Sequence, residues 1–499
     1  MLRPWHLAMR VERGTKIAPY LQIARAVIEE IQRGRLHSGD ALPGSRELAE
    51  ALSVNRKTVM LAYDELIAQG WLTPEKARGT FVSHKLPTAR PASFAFRPIA
   101  PQPIPDTPDF RLPGQASHID VLLPEPNALM FDDGSPDTRL VPVDALARAY
   151  RRSLLSLSRG NRLGYGDPRG SLPLRQAVSA MLNAERGLNT SVETVCLTRG
   201  SQMAIFIAAR LLTAPGDTAV IESLSYPPAR EAFAAHGAKV VTVGIDQHGM
   251  RLDELEKICR AHRVRCIYLT PHHQFPTTVL LPPERRLRLL ALADQFGFAI
   301  IEDDYDHEFH FAHQPMLPLA SADQWSKVVY IGSMSKLVTP SLRCGYLVGA
   351  KRFIDRAAEE ILVIDRQGDP ATEMAVAELI DNGDLHRHAR KVMQIYDSRR
   401  HQLAEQLRRH FASAIEFDFP DGGLAFWVKF DSTIDLAGLL EAGRQKGVRV
   451  LSGNTYSMTG APTAAVRLGF ASLNETELAE AVQRLAAGVS VGASMPARR

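Results

Sequence analysis

The chain has 499 residues with 59 Lys+Arg against 55 Asp+Glu, a net charge of +4, and is too long for one ordinary core, so two or more domains are expected. So small a charge excess neither requires nor excludes nucleic acid; the placement of the cations carries the information. No stretch of about 18 uninterrupted apolar residues occurs, and "MLRPWHLAMRVERG" has no apolar leader core, so neither a membrane span nor export is expected and the reading places the protein in the cytoplasm.

Residues 1–83 read as three helices and a hairpin. Leu21, Ile23, Ala24, Val27, Ile28 and Ile31 recur at helical spacing before the turn-rich "RGRLHSGDALPGS". Ser45 is expected to cap "SRELAEAL", and "VNRKTVMLAYDELIAQG" forms the next helix after a turn around Ser53. Two short helices joined by a tight turn, followed by the extended runs of "GWLTPEKARGTFV", predict a winged helix-turn-helix. Arg46 opens the first helix of the pair, Asn55, Arg56, Lys57 and Thr58 open the second, and Lys76 and Arg78 stand at the hairpin tip. Recognition helices reach base edges with their N-terminal residues while flanking cations hold phosphates, so these seven are the candidate DNA-binding residues.

This segment resembles the winged-helix domain of GntR-type transcriptional regulators through its P-x-S-R-x-L-A run, its N-R-x-T-V helix start and its R-G-T-F-V wing. The resemblance implies double-stranded operator DNA as a partner. Residues 84–127 are dense in proline, which removes donors and disfavours helix, so a semi-rigid extended linker is expected.

From 128 to 488 apolar runs alternate with helical patterns. "TVCLT", "DTAVIES", "KVVTVGI", "RCIYLTP", "FAIIEDD" and "VVYIGS" are strand candidates, which predicts an α/β domain with a mostly parallel sheet and ligands at the carboxyl ends of its strands. "DGGLAFWVKF" and "AAVRLGFASL" predict strands of a small α+β subdomain, and 489–499 are read as a tail. Cys196, Cys259, Cys266 and Cys344 form no C-x-x-C pair and no zinc spacing, which suits buried free thiols.

The strand ends carry the chemistry. Gly200, Ser201 and Gln202 lie where a strand turns into a helix, either as an ordinary cap or as a phosphate cradle, and Tyr226 follows the next strand. "AIIEDDYDHEF" allows two readings. In one, Glu302, Asp303, Asp304, Asp306, His307, His310 and His313 supply metal ligands; in the other, Asp303 and Tyr305 face one ligand having a basic nitrogen and a nearby oxygen, and no metal is involved. Pyridoxal phosphate is such a ligand: its aldehyde condenses with a lysine, its ring nitrogen wants a carboxylate, and its phosphate wants an arginine and hydroxyls. In "IGSMSKLVTPSLRCGYLVG", Lys336 has Ser333 and Ser335 beside it and Arg343 within reach of the same phosphate.

Through "SMSKLVTPSLRCGY", "DDY", "LGYGDPRGSLPLR" and "VRLGF", residues 128–488 resemble fold-type I aminotransferases of class I. The resemblance implies pyridoxal 5'-phosphate as cofactor, Lys336 as its Schiff-base lysine, Asp303 on the pyridine nitrogen, Tyr305 on the ring hydroxyl and Tyr226 stacked on the ring. It also implies Gly200, Ser201, Gln202, Ser333 and Arg343 on the phosphate, with Tyr165 from the other subunit of a homodimer. Arg467 matches the arginine that binds the substrate carboxylate; its alternative is a surface strand charge. Class I enzymes carry N-P-x-G where this chain reads "TPHHQFPTT", so Phe275 replaces the asparagine that bonds the ring hydroxyl and Thr278 replaces the glycine. That sequence, with "EDDYDHEF", is characteristic of the MocR or GabR subfamily of GntR regulators.

The expected fold is therefore multidomain: a mainly α winged helix-turn-helix joined to an α/β aminotransferase-like domain with a small C-terminal α+β subdomain. The leading expectation is a transcriptional regulator, not an enzyme, whose large domain senses a carboxylate-bearing amine, or pyridoxal phosphate itself, at Lys336. A working aminotransferase that also binds DNA and a repressor without cofactor stay open.

Overall fold

The computed structural model describes residues 11–12, 17–75, 78–87, 109–111, 119–120, 125–311, 316–323 and 325–488. Lys76, His313, most of the proline-rich 84–127 and the tail 489–499 lie outside the described residues. The chain divides into two compact units, Met1–Gly114 and Gln115–Arg499.

In the first unit, α1 (Pro19–Gln32) starts with proline in its first turn, where a missing N–H costs nothing, and buries Ile23, Ala24, Val27, Ile28 and Ile31. These pack with Leu48 of α2 (Ser45–Ala51) and with Val59, Ala62 and Leu66 of α3 (Arg56–Ala68). Ser53 turns the chain between α2 and α3 with a left-handed φ of 52°. The strands β1 (Leu72–Glu75) and β2 (Gly79–Val82) pair antiparallel, Leu72 opposite Val82, as the wing. Ser45 is not the cap expected from the sequence. Gly44 holds that position, and the Ser45 hydroxyl, one residue inside the helix, accepts from Arg56 Nε at 3.2 Å. Asn55 does cap α3, its side chain accepting from the Lys57 N–H at 2.9 Å.

The second unit runs β3 (Leu129–Phe131), α4 (Val143–Arg159), α5 (Leu172–Arg186), β4 (Val195–Thr198), α6 (Ser201–Leu212), β5 (Thr218–Glu222), α7 (Pro227–Ala235), β6 (Lys239–Val243) and the short pair β7 (Ile245–Asp246) and β8 (Gly249–Met250). It continues with α8 (Leu252–Ala261), β9 (Val264–Leu269), α9 (Pro283–Phe296), β10 (Ala299–Asp304), α10 (Leu319–Asp323), β11 (Val328–Ser333), β12 (Gly345–Val348), α11 (Lys351–Ile364) and α12 (Pro370–Asp381). Last come α13 (Asp384–Phe411), β13 (Ile415–Glu416), β14 (Ala425–Phe430), α14 (Leu436–Gln445), β15 (Val448–Val450), β16 (Ala465–Gly469) and α15 (Glu475–Ala486).

Seven strands form the large sheet in the order β4-β12-β11-β10-β9-β5-β6, all parallel except β12, which runs antiparallel to both β4 and β11. Each of the six strand candidates of the large domain falls in this sheet, whereas β12, within "CGYLVG", was not among them. The sheet is covered on both faces, and strand alternation divides its side chains between two cores. Val195, Leu197, Val220, Ile267, Leu269, Ile300 and Tyr330 join one core, and Cys196, Ala219, Ile221, Cys266, Tyr268, Ile301 and Ile331 join the other. The four cysteines are buried and free; burial pushes the thiols of Cys196, Cys266 and Cys344 up to about 12 and Cys259 to about 11, so none is a ready nucleophile. A smaller sheet, β13-β14-β16, packs its Phe426, Val428, Val466 and Leu468 on Leu403 and Leu407 of α13 and on Leu478 and Val482 of α15. Among the described residues no helix is long and apolar enough to cross a membrane.

Candidate functional site

The carboxyl ends of the parallel strands carry the predicted residues. Between β4 and α6, Gly200 has a φ of +77°, and a Cβ there would stand 2.9 Å from the Arg343 guanidinium, so only glycine lets that cation approach the helix start. Gly345 is constrained similarly, because a Cβ would lie 2.7 Å from the Gly200 backbone. Arg343 follows the short 3₁₀ turn Pro340–Leu342 in a left-handed conformation and donates to the Arg199 carbonyl at 2.9 Å. An exposed guanidinium therefore lies against the free N–H groups of α6, with Ser201 as the first helical residue: an arrangement that can hold a dianion. Gln202 donates to the Pro228 carbonyl at 3.2 Å, and Ser333, buried at the end of β11, accepts from the Ser335 N–H at 3.1 Å.

Asp303 is the last residue but one of β10. Its Oδ2 accepts from the Tyr268 hydroxyl at 2.7 Å, and its Oδ1 is buried without a partner. Burial pushes this carboxyl up to about 7 despite the Tyr268 hydrogen bond. A protonated ring nitrogen would satisfy Oδ1 and hold the carboxylate charged. Lys336 donates to the Gly134 carbonyl at 2.9 Å, and its ammonium is lowered by burial against the opposing pull of Asp132 and Asp133. A lysine so depressed has more of its amine in the nucleophilic, neutral form.

Phe275 stands at the centre of an aromatic group. Its ring meets Tyr226 edge-on at 5.4 Å, Tyr456 at 5.4 Å and Tyr305 at 6.0 Å, and the Arg467 guanidinium lies over it at 4.6 Å. The Phe275–Pro276 bond is cis, and Thr278 takes a left-handed φ of 63° at the position where class I enzymes carry glycine. Tyr305 donates to the His273 carbonyl at 3.1 Å and Tyr226 stands at the start of α7. Arg467 in β16 is 1% exposed, which overturns its reading as a surface strand charge. Its guanidinium donates to the carbonyls of Pro276 and Asp133 and to the Tyr305 hydroxyl, all neutral oxygens.

Not every predicted residue joins this group. Tyr165 is 79% exposed, its ring covered on one side by Arg366 at 4.6 Å. The acids weighed as metal ligands are separately engaged: Glu302 accepts from the N–H groups of Leu319 and Ala320, Asp304 from Tyr330 and His307, and Asp306 pairs with His273. Tyr268, Gly134 and the Asp132–Asp133 pair escaped the sequence reading; Tyr268 looked like one more apolar strand residue, and the others lie some 200 positions from Lys336. In the first unit, Arg46, Arg56 and Lys57 are exposed and Thr58 half-buried, on the opening turns of α2 and α3. Arg78 pairs with Glu75 at 2.7 Å at the wing.

Comparison with known proteins agrees with this geometry. Residues 128–485 match the family "Aminotransferase class I and II", and residues 19–82 match "Bacterial regulatory proteins, gntR family". The chain is 27% identical over 475 residues to the probable rhizopine catabolism regulatory protein MocR of Rhizobium meliloti, covering 95% of this chain and 94% of that protein. It is 29% identical to the HTH-type transcriptional regulator TauR of Rhodobacter capsulatus, covering 93% and 95%. Its second unit is similar to the α-aminoadipate aminotransferase LysN of Thermus thermophilus, solved with N-(5'-phosphopyridoxyl)-L-leucine, at a TM-score of 0.68 and 26% identity over 73% of this chain and 92% of that one. Class I aminotransferases depend on pyridoxal 5'-phosphate, and the orphaned Asp303 Oδ1, the depressed Lys336 and the Arg343–Gly200 cradle fit that cofactor. With a DNA-binding GntR domain and an aminotransferase-like domain in one chain, the protein belongs to the MocR/GabR subfamily of GntR-type regulators, pyridoxal-phosphate-dependent transcriptional regulators.

Proposed function

We propose that the chain changes its operator binding or promoter activation when a carboxylate-bearing primary amine engages the cofactor site, and that this site turns over substrate poorly. The observation that carries this reading is Arg467, a buried cation whose hydrogen-bond acceptors are all neutral, set over Phe275 and beside Tyr305. A buried guanidinium without a carboxylate is costly, and an effector carboxylate would relieve that cost bidentately.

Pyridoxal phosphate, when bound, supplies an electrophilic carbon to which primary amines add reversibly. Lys336 would hold that carbon and release it to a competing amine. Asp303 would accept from the pyridine nitrogen, Tyr305 would bond the ring oxygen and Tyr226 would cover the ring. Gly200, Ser201, Gln202, Ser333 and Arg343 would hold the phosphate, with Tyr165 from a second copy. Phe275 has no group to bond the ring oxygen, so Tyr305 acts alone there, which supports sensing over rapid conversion. Coupling to DNA requires that the effector bind two conformations of the protein unequally. The DNA contacts would come from Arg46, Asn55, Arg56, Lys57, Thr58, Lys76 and Arg78, with 1–83 as head, 84–127 as linker, 128–488 as effector domain and 489–499 as tail.

Half-reaction assays with a panel of α- and ω-amino acids, following conversion to pyridoxamine phosphate alongside operator binding, test the proposal. One amine is expected to shift operator affinity while conversion stays slow. Fast multiple turnover would overturn it in favour of the second reading, a competent aminotransferase that also binds DNA. The presence of Lys336, Asp303, Tyr305 and Arg343 together favours that reading. Pyridoxal phosphate as the signal itself is distinguished by an operator response to cofactor in the absence of any amine.

A further inference from the structure

Behind the cofactor site lies a cluster that the function above does not use. His272 comes from the loop after β9, and His307 and His310 from the turn after β10. Their ring centroids are 4.8 Å (272–307), 4.8 Å (272–310) and 5.4 Å (307–310) apart. One ligand nitrogen from each lies within 4.8 Å of the other two. His272 is 1% exposed, and neither of its ring nitrogens has a hydrogen-bond partner among the described residues; His310 Nε2 has none either. Leaving a buried polar atom unsatisfied costs about 1–3 kcal/mol, so an apolar side chain would serve packing better unless those nitrogens bind something.

We infer that His272, His307 and His310 form a site for one divalent transition-metal ion, zinc in the first instance. His307 Nδ1 is bonded to the Asp304 carboxylate at 2.8 Å, which leaves Nε2 as the ligand atom and reproduces the carboxylate–histidine arrangement that orients metal ligands. The buried, unpartnered nitrogens of His272 and His310 are the lone pairs such an ion would take. His273 is not a ligand: its Nδ1 is bonded to Asp306 at 2.8 Å, and its Nε2 faces Gly422 so closely that a Cβ there would collide with it. Zinc–nitrogen bonds of about 2.0–2.1 Å place tetrahedral ligands roughly 3.3 Å apart, so ligand atoms that lie within 4.8 Å of one another would close by at most about 1.5 Å. Three imidazoles leave a fourth position for water. This is a different set from the acid-led group weighed in the sequence, since His272 comes from another strand end. Occupancy would also fix the loop that carries His273 and Phe275 into the cofactor site.

The test uses the full-length cofactor-loaded protein, stripped with a chelator and titrated with zinc against a chromophoric competitor. One equivalent per chain is expected, with His272→Ala and His307→Ala each weakening binding by on the order of 100-fold or more. Retained cofactor absorbance and thermal melting certify that the variants fold. Absence of stoichiometric uptake by the parent chain, or unchanged uptake in folded His272→Ala/His310→Ala, overturns the site. Should the variants lose their fold, zinc X-ray absorption on the parent chain decides: about three imidazole nitrogens support the site, and any other dominant ligand set or no bound zinc overturns it.

Discussion

Arg467 and Glu222 show how much of this protein's chemistry is set by burial. Arg467→Lys keeps the charge but loses the planar fork, so it should weaken carboxylate-bearing amines by about tenfold or more and leave the corresponding decarboxylated amines unchanged. Titrating cofactor absorbance with both members of such a pair measures it; equal losses for both would mean that Arg467 serves packing alone. Glu222 ends β5 fully buried, and burial pushes its carboxyl from 4.5 up to about 8 against the hydrogen bond from Gln274. Between those values the folded chain keeps a proton that the unfolded chain has released, so this contribution to stability is lost as pH rises through about 8. Glu222→Gln removes the titration, and its stability should fall less steeply with pH by about 1.4 kcal/mol per pH unit across that window. Urea melts of both proteins over the range measure the difference in slope.

At the scale of elements, α3 does two jobs at its first turn. Asn55 caps it, so Asn55→Ala should lower the stability of the head by about 1 kcal/mol, seen as an earlier melting transition. Arg46 on α2 is exposed, and Arg46→Ala should weaken operator binding and reduce its salt slope by about 1 while leaving cofactor absorbance intact. Unchanged operator affinity would place the docking face elsewhere. Arg56 is a less clean probe, because it also bonds Ser45 across the turn. The helical and strand periods of these elements are local properties, which is why α1 to α3 and the six strands of the large sheet were legible in the sequence. β12 was not, because "GYLV" follows directly on the Lys336-to-Arg343 motif and becomes a strand only by pairing with β4 and β11.

For the molecule as a whole, the second unit leaves apolar side chains exposed, a face that we propose a second copy of the chain covers. Val363 is 80% exposed at the end of α11, beside Leu362 and Ile364, Leu163 is exposed too, and Tyr165 is exposed on the side that Arg366 leaves open. A homodimer would bury them and bring a partner tyrosine to each cofactor site. Val363→Asp should shift the sedimenting species from dimer to monomer and weaken cofactor retention together; a dimer that persists with normal cofactor affinity would place the interface elsewhere.

The sequence by itself determined what depends on near neighbours: helix and strand periods, the winged-helix motif, and the lysine, carboxylate and arginine that match a phosphopyridoxal site. Tertiary structure alone decided what depends on residues far apart in the chain. It placed Arg467 over Phe275 with neutral partners, gave Lys336 the carbonyl of Gly134, left Asp303 Oδ1 unpaired beside Tyr268, and brought His272 to His307 and His310. The physical reason is that desolvation and convergence of side chains arise only when separate strand ends meet, and no local pattern records which ends will do so.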